Sequence, residues 1–157
     1  MSINIGLTNE QLQGVSAILN KVLANEYLLY TKTRNFHWNV VGPQFHDLHK
    51  AFQALYEELD IIIDEVAERI RSLGQNADGT LSEFLKNTTL KEYPRVYPKE
   101  MEMVKALLED VQQVTRELRV DVNVVQEEFQ DAGTADFLTG VLEKHEKTAW
   151  MLGSLLG

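Results

Sequence analysis

The chain has 157 residues, of which 44% are hydrophobic, and its 24 acidic and 15 basic residues give a net charge of −9. This length and composition suffice for one hydrophobic core, so we expect a single domain over residues 1–157. The acidic balance disfavours nucleic acid and anionic membranes as partners, because like charges repel unless basic residues cluster. The absence of cysteine excludes disulfides and thiolate chemistry.

No stretch approaches the roughly 20 apolar residues of a membrane span. The N-terminal stretch has neither the basic flank nor the apolar core of a signal peptide. We therefore expect a cytoplasmic protein without a membrane partner.

The first predicted helix begins near Thr8, because Thr8 and Gln11 have the spacing of a capping box. Apolar residues recur at helical spacing as far as Leu23. The same face continues with more polar residues, namely Glu26, Tyr30, Thr33 and His37. We therefore expect His37 and Trp38 at the end of a packed helix rather than in a loop.

Gly42 and Pro43 interrupt this helix, and a second helix is predicted from about Phe45 to Leu73. Its apolar positions recur at steps of three and four, at Leu48, Phe52, Leu55, Leu59, Ile62, Val66 and Ile70. Three of the four histidines and several acidic residues at helical spacing lie between His37 and Glu68. Imidazole and carboxylate groups are both common metal ligands, so this stretch is a candidate metal site.

Distance limits how this stretch can bind a metal ion. His49 and Asp64 are fifteen residues apart on one helix, which is about 22 Å at the helical rise per residue, whereas ligand bonds are only ~2 Å long. Two antiparallel copies of the helix around a two-fold axis would bring such side chains together. The reason is that the axis pairs positions whose numbers have a constant sum. The numbers of His49 and Glu68 add up to 117, and so do those of position 53 and Asp64.

Three further helices are predicted downstream. Gly74 can close the second helix in the left-handed conformation, and a capping box from Thr80 to Glu83 opens a short helix inside a long connection. The third long helix is predicted from near Pro98 and the fourth from about Thr134. We therefore predict an all-α fold, a four-helix bundle with a short extra helix between its second and third helices.

These motifs resemble the Dps family of ferritin-like mini-cages. The resemblance depends on HWN at His37, His49 twelve residues later, the D-x-x-x-E pair of Asp64 and Glu68, and segments 131–138 and 145–152. It spans Leu12 to Leu152 and implies a ferritin-like four-helix bundle in a hollow dodecamer. The implied activity is a ferroxidase that oxidises ferrous iron with hydrogen peroxide and stores ferric mineral, which protects against oxidative stress. The implied iron ligands are His37 and His49 from one chain and Asp64 and Glu68 from its two-fold mate.

The sequence departs from the family pattern at Gln53, where the family has an acidic residue. An amide oxygen binds a hard cation more weakly than a carboxylate does, so the second iron position could be weakened and zinc could substitute. Asp60, one turn before Asp64, is a possible replacement, although a solvated or interface carboxylate is the simpler interpretation. One alternative function is therefore a metal-sequestering cage with attenuated ferroxidase activity.

A second alternative is a nucleoid-binding protein that protects DNA. Some Dps relatives bind DNA through Lys-rich termini, whereas the first basic residue here is Lys21 and the last residues are not basic. We therefore do not expect DNA binding.

Five other residues near these motifs have open roles. Trp38 is expected in core or interface packing, and by resemblance it could intercept oxidising equivalents beside the iron site. His46 is interpreted as a polar residue of the first turn rather than a peripheral ligand, and His145 as a hydrogen-bonded structural histidine rather than a ligand. Asp131 and Asp136 flank the start of the fourth helix, where they could cap it or, by resemblance, line acidic pores.

Overall fold

The computed structural model describes residues 4–157, and these contain five helices and no strand. The helices are α1 (Asn9–Asn39), α2 (Phe45–Ser72), α3 (Leu81–Asn87), α4 (Glu100–Glu127) and α5 (Ala132–Leu156). α1 packs along α2 and α4 packs along α5, and contacts between α1 and α4 join the two pairs. The predicted all-α class, four long helices with a short fifth in the long connection, is confirmed.

Local sequence signals explain where three of the helices begin or end. The Thr8 and Thr80 side chains accept hydrogen bonds from the backbone of Gln11 and Glu83, and both capping boxes are complete. Gly74 has a φ of 78° directly after α2, the left-handed conformation that glycine adopts at helix ends.

Two helices, α4 and α5, begin two residues away from their predicted first residues. α4 begins at Glu100, two residues after Pro98, with Glu100 and Glu102 in its first turn, where the positive end of the helix dipole stabilises acidic residues. α5 begins at Ala132 rather than near Thr134, because Asp131 caps it through a 3.0 Å hydrogen bond from the Thr134 backbone amide.

The bundle core is mostly apolar, and two ion pairs link α1 to α4 beside it. All seven apolar positions predicted for α2 are buried. Lys21 pairs with Asp121 and Lys32 with Asp110 between α1 and α4. Burial raises the pKa of both aspartates above the usual value, although the lysine partners oppose this shift.

The connection between α2 and α4 is fastened to α1 by Asn25. The Oδ1 atom of Asn25 accepts hydrogen bonds from the Thr88 hydroxyl at 2.8 Å and the Thr89 amide at 2.9 Å. Its Nδ2 atom donates to Glu117 on α4 at 3.0 Å. The segment after α3 therefore lies against the bundle. Within residues 4–157 no helix is long and apolar enough to cross a membrane.

Candidate metal centre

His37 and His49 lie together where α1 ends and α2 begins. Their rings stack with centroids 3.8 Å apart and an interplanar angle of 18°. The Nδ1 atom of His37 is 2.6 Å from the backbone oxygen of His49, and the Nδ1 atom of His49 is 2.8 Å from that of His37. Because a carbonyl oxygen can only accept, each Nδ1 atom carries the proton and donates it.

This reciprocal pair of bonds determines the tautomer of both rings. A neutral imidazole with its proton on Nδ1 carries its lone pair on Nε2, which is the arrangement found in metal-binding histidines whose other nitrogen is hydrogen-bonded. His37 is 7% exposed and His49 is half-buried, so the surrounding protein holds the rings in place. The two histidines therefore present two oriented nitrogen ligands.

The turn between the helices holds the two rings in register. Gly42 has a φ of 140°, and a Cβ atom there would come within 2.2 Å of the Glu100 carboxylate. That carboxylate accepts a hydrogen bond from the Gln44 amide at 3.1 Å. Phe45 stacks on the His49 ring at 5.0 Å, on the α2 side of the turn. Residues with a side chain rarely adopt this φ, so glycine suits the turn that connects α1 to α2.

Asp64 and Glu68 are exposed on the same helix, α2, far from the histidines. Asp64 lines a surface groove of about 510 Å³ together with Asp60 and Ile61, whose side chain is 58% exposed. Within residues 4–157 of one chain, no three His, Asp or Glu side chains come together in a way that could hold a metal ion. The structure thus brings His37 and His49 together and leaves Asp64 and Glu68 apart from them.

Gln53 lies one turn after His49, and its side chain has a partner that sequence reasoning missed. Its Nε2 atom donates to the Glu57 Oε1 atom at 2.8 Å. Both side chains are exposed on α2, as is Asp60. The spacing of four residues was the available signal, since such pairs meet on one face of a helix.

Two residues near the histidines lie at the surface. Trp38 is 65% exposed, so the expectation of core packing was wrong for this chain; its ring lies 4.9 Å from the Arg34 guanidinium. Packing of Trp38 at an interface stays a prediction. His46 is exposed in the first turn of α2, as expected for a polar surface residue.

His145 is buried in the bundle core, where its Nε2 atom lies 2.7 Å from Glu26 Oε1. The prediction of a hydrogen-bonded histidine is confirmed. Burial by itself lowers the pKa of His145, but the charge and hydrogen bond of Glu26 and the charge of Glu58 outweigh it and raise the pKa overall. The raised pKa of His145 favours its protonated form beside Glu26, and the second oxygen of Glu26 has no hydrogen-bond partner.

Asp131 and Asp136 have different environments. Asp131 is 5% exposed; its carboxylate accepts hydrogen bonds from the Thr134 amide and hydroxyl and lies 3.5 Å from Arg69. Asp136 is exposed. The capping interpretation is confirmed for Asp131. Of these two aspartates, only Asp136 has its carboxylate at the surface.

The family described as the ferritin-like domain matches residues 16–157. A low temperature-induced protein of Nostoc sp. is 51% identical over 154 residues, covering 98% of this chain and 86% of the relative. A DNA protection during starvation protein of Bacillus anthracis is 39% identical over 143 residues, covering 90% of this chain and 96% of the relative.

A solved structure is similar over the whole chain. The Dps protein of Vibrio cholerae, described as a member of a broad superfamily of ferritin-like diiron-carboxylate proteins, has a TM-score of 0.91 at 31% identity and covers 100% of this chain and 98% of its own. Fold and comparisons define the class as ferritin-like. Within that class, the chain belongs to the Dps family.

Proposed function

We propose that this chain is the subunit of a hollow dodecamer that oxidises ferrous iron with hydrogen peroxide and stores the ferric product. Ferrous iron is the substrate, and the sites lie between two-fold-related subunits in the cytoplasm. The observation that carries the proposal is the reciprocal bonding of His37 and His49, which leaves both Nε2 lone pairs free. Two such lone pairs side by side offer a cation two nitrogen ligands from one chain.

The other half of each site comes from a second copy of α2. α2 is continuous from Phe45 to Ser72, so an antiparallel mate in the register of His49 with Glu68 also places Gln53 opposite Asp64. The exposed Ile61 and the groove beside it lie on the carboxylate part of this helix. Two imidazoles and two carboxylates form a mixed nitrogen and oxygen ligand set that suits non-haem iron and also accepts zinc.

Each residue has a distinct role at such a site. His37 and His49 supply oriented neutral ligands, and Asp64 and Glu68 supply the negative charge that ferrous and ferric ions need. Glu68 of the mate, opposite His49, is the candidate to bridge two ions. Two ferrous ions supply the two electrons that, together with two protons from water bound by the ferric product, reduce one hydrogen peroxide to two waters, so iron and peroxide are removed together.

Stopped-flow absorption of ferric iron formation tests the function. We expect wild-type protein to oxidise ferrous iron much faster with hydrogen peroxide than with dioxygen. The Gln53→Asp variant should oxidise it faster still, because a carboxylate binds the second ion more strongly than an amide. If wild-type protein takes up iron without oxidising it and Gln53→Asp oxidises it, the attenuated cage is the correct alternative. Failure of both variants would refute a ferroxidase.

Asp136 is expected to assist iron uptake. Exposed carboxylates concentrate cations at a pore by focusing the field, so Asp136→Asn should slow the uptake of ferrous iron while light scattering shows an intact cage. Asp131→Ala is the matched control for iron uptake, which it should leave unchanged. Loss of its helix cap should instead reduce the free energy of unfolding by about 1 kcal/mol. Equal uptake by wild type and Asp136→Asn would remove the pore role.

Binding to DNA is the competing function that the relatives' name suggests. The net charge of −9 opposes it, since affinity for DNA comes mainly from phosphate neutralisation by Lys and Arg. We expect no retardation of plasmid DNA in a gel at physiological salt. The same chain with a Lys-rich N-terminal extension should retard it, and retardation by the chain without this extension would contradict the expectation.

A further inference from the structure

The hydrogen bond between Gln53 and Glu57 solves a problem that a glutamine creates at a metal site. A carboxylate offers a cation the same atom type on both sides, whereas an amide has an acceptor oxygen on one side and an NH₂ donor on the other. If the amide flips, its NH₂ group faces the cation and repels it. A glutamine ligand therefore needs a neighbour that fixes which atom faces the ion.

Glu57 is placed to be that neighbour. The Gln53 Nε2 atom donates to Glu57 Oε1 at 2.8 Å, and a carboxylate accepts hydrogen bonds but cannot donate them. The NH₂ group is thereby directed to Glu57, and the carbonyl oxygen on the opposite side of the amide is turned away from it. His49 lies one turn before Gln53 on α2, with its Nε2 lone pair free.

We propose that Glu57 is a positioning residue, which holds the Gln53 amide so that its oxygen binds the second metal ion opposite Asp64 of the mate. This inference rests on the proposed function, since it concerns the same site between subunits. Partners that orient a ligand typically change metal affinity 10–100-fold. Glu57 therefore compensates in part for the carboxylate that position 53 lacks.

Calorimetric titration of the metal-free full-length protein with zinc, which undergoes no redox reaction, measures this role without enzyme activity. We expect wild type to bind two zinc ions per site. Glu57→Leu, which removes the acceptor, should weaken the second ion about tenfold. Glu57→Gln, which removes the charge but keeps an acceptor oxygen, should retain most of the affinity. Glu58→Leu removes a neighbouring charge that makes no hydrogen bond to Gln53 and should leave both ions bound as in wild type.

A second background separates orientation from charge. In Gln53→Glu no orientation is needed, and two like charges four residues apart on a helix repel each other. Glu57→Leu should then leave the affinity for the second ion unchanged or increase it. Equal losses in Glu57→Gln and Glu57→Leu would show that charge alone matters and would overturn the inference.

The remaining outcomes are also decisive. Two ions bound equally by wild type and Glu57→Leu, or a wild type that binds one ion per site, would refute the role of Glu57 and leave the proposed function standing. Zinc binding that does not depend on His49 would instead refute the site between subunits.

Discussion

Replacing His49 with alanine should slow peroxide-driven oxidation of ferrous iron by about 100-fold or more. Loss of a residue that merely orients a ligand costs 10–100-fold in metal affinity or activity, and His49 is proposed as both a ligand and the orienting partner of His37. The substitution removes the His49 Nε2 atom and also the hydrogen bond to the His37 carbonyl and the ring stack. Stopped-flow absorption with excess peroxide measures the rate.

His46→Ala is the matched control, since His46 is exposed in the same first turn of α2 and should not change the rate. Because His37 and His49 act as a unit, His37→Ala and the double variant should resemble His49→Ala rather than add to it. Size-exclusion chromatography checks the cage. Wild-type rates in an intact His49→Ala cage would contradict the proposed metal centre.

Replacing Glu26 with alanine should reduce the free energy of unfolding by about 3–5 kcal/mol. Removing one partner of a buried ion pair leaves the other charge uncompensated, and Glu26 and His145 are 0% and 1% exposed. Denaturation in guanidinium chloride at one fixed subunit concentration measures the change, because assembly shifts the apparent stability. A loss below about 1 kcal/mol, the size expected for an exposed pair, would contradict a buried ion pair.

The matched control replaces both partners, as Glu26→Leu with His145→Met. Apolar pairs of similar volume often match or exceed the stability of a buried ion pair, so the double variant should be more stable than Glu26→Ala. Its iron oxidation should equal that of wild type, because neither residue contributes to the proposed metal site.

The same pair should make stability depend on pH. The pKa of His145 is raised above its unfolded value of about 6.5. Its stabilising contribution is therefore complete below the unfolded pKa and is lost as the pH rises through the folded pKa. The double variant should lack this decline. Burial raises the pKa of Asp110 and Asp121 above 3.8, so their contribution to stability is complete below the unfolded pKa and is lost as the pH rises through the folded pKa.

Much of the fold could be predicted because helix signals are local. The capping boxes at Thr8 and Thr80 and the apolar spacing of α2 involve residues within a few turns of one another. The predicted starts of α4 and α5 were displaced by two residues, because the acidic first turn of α4 and the Asp131 cap outweighed the signals at Pro98 and Thr134. Core packing of Trp38 was wrongly expected because periodicity does not show which faces neighbouring helices cover, whereas its packing at an interface stays a prediction.

The candidate site was likewise predictable only in part. The sequence by itself determined that His37 and His49 flank a helix break and that Asp64 and Glu68 share one helix with His49, since spacing along a chain fixes both facts. It did not indicate how the two rings meet. The stack and the two Nδ1 hydrogen bonds form across the turn at Gly42, where the Gln44 amide donates to Glu100, 56 residues away.

Only the tertiary structure paired Glu26 with His145, which are 119 positions apart. Helical spacing placed each of them on an apolar face, but only the packing of α1 near α5 showed that one satisfies the other. Local hydrogen bonds and periodicity act within a few turns and so can be read along the chain. Tautomers, buried charges and their partners depend on distances that exist only after the helices have packed.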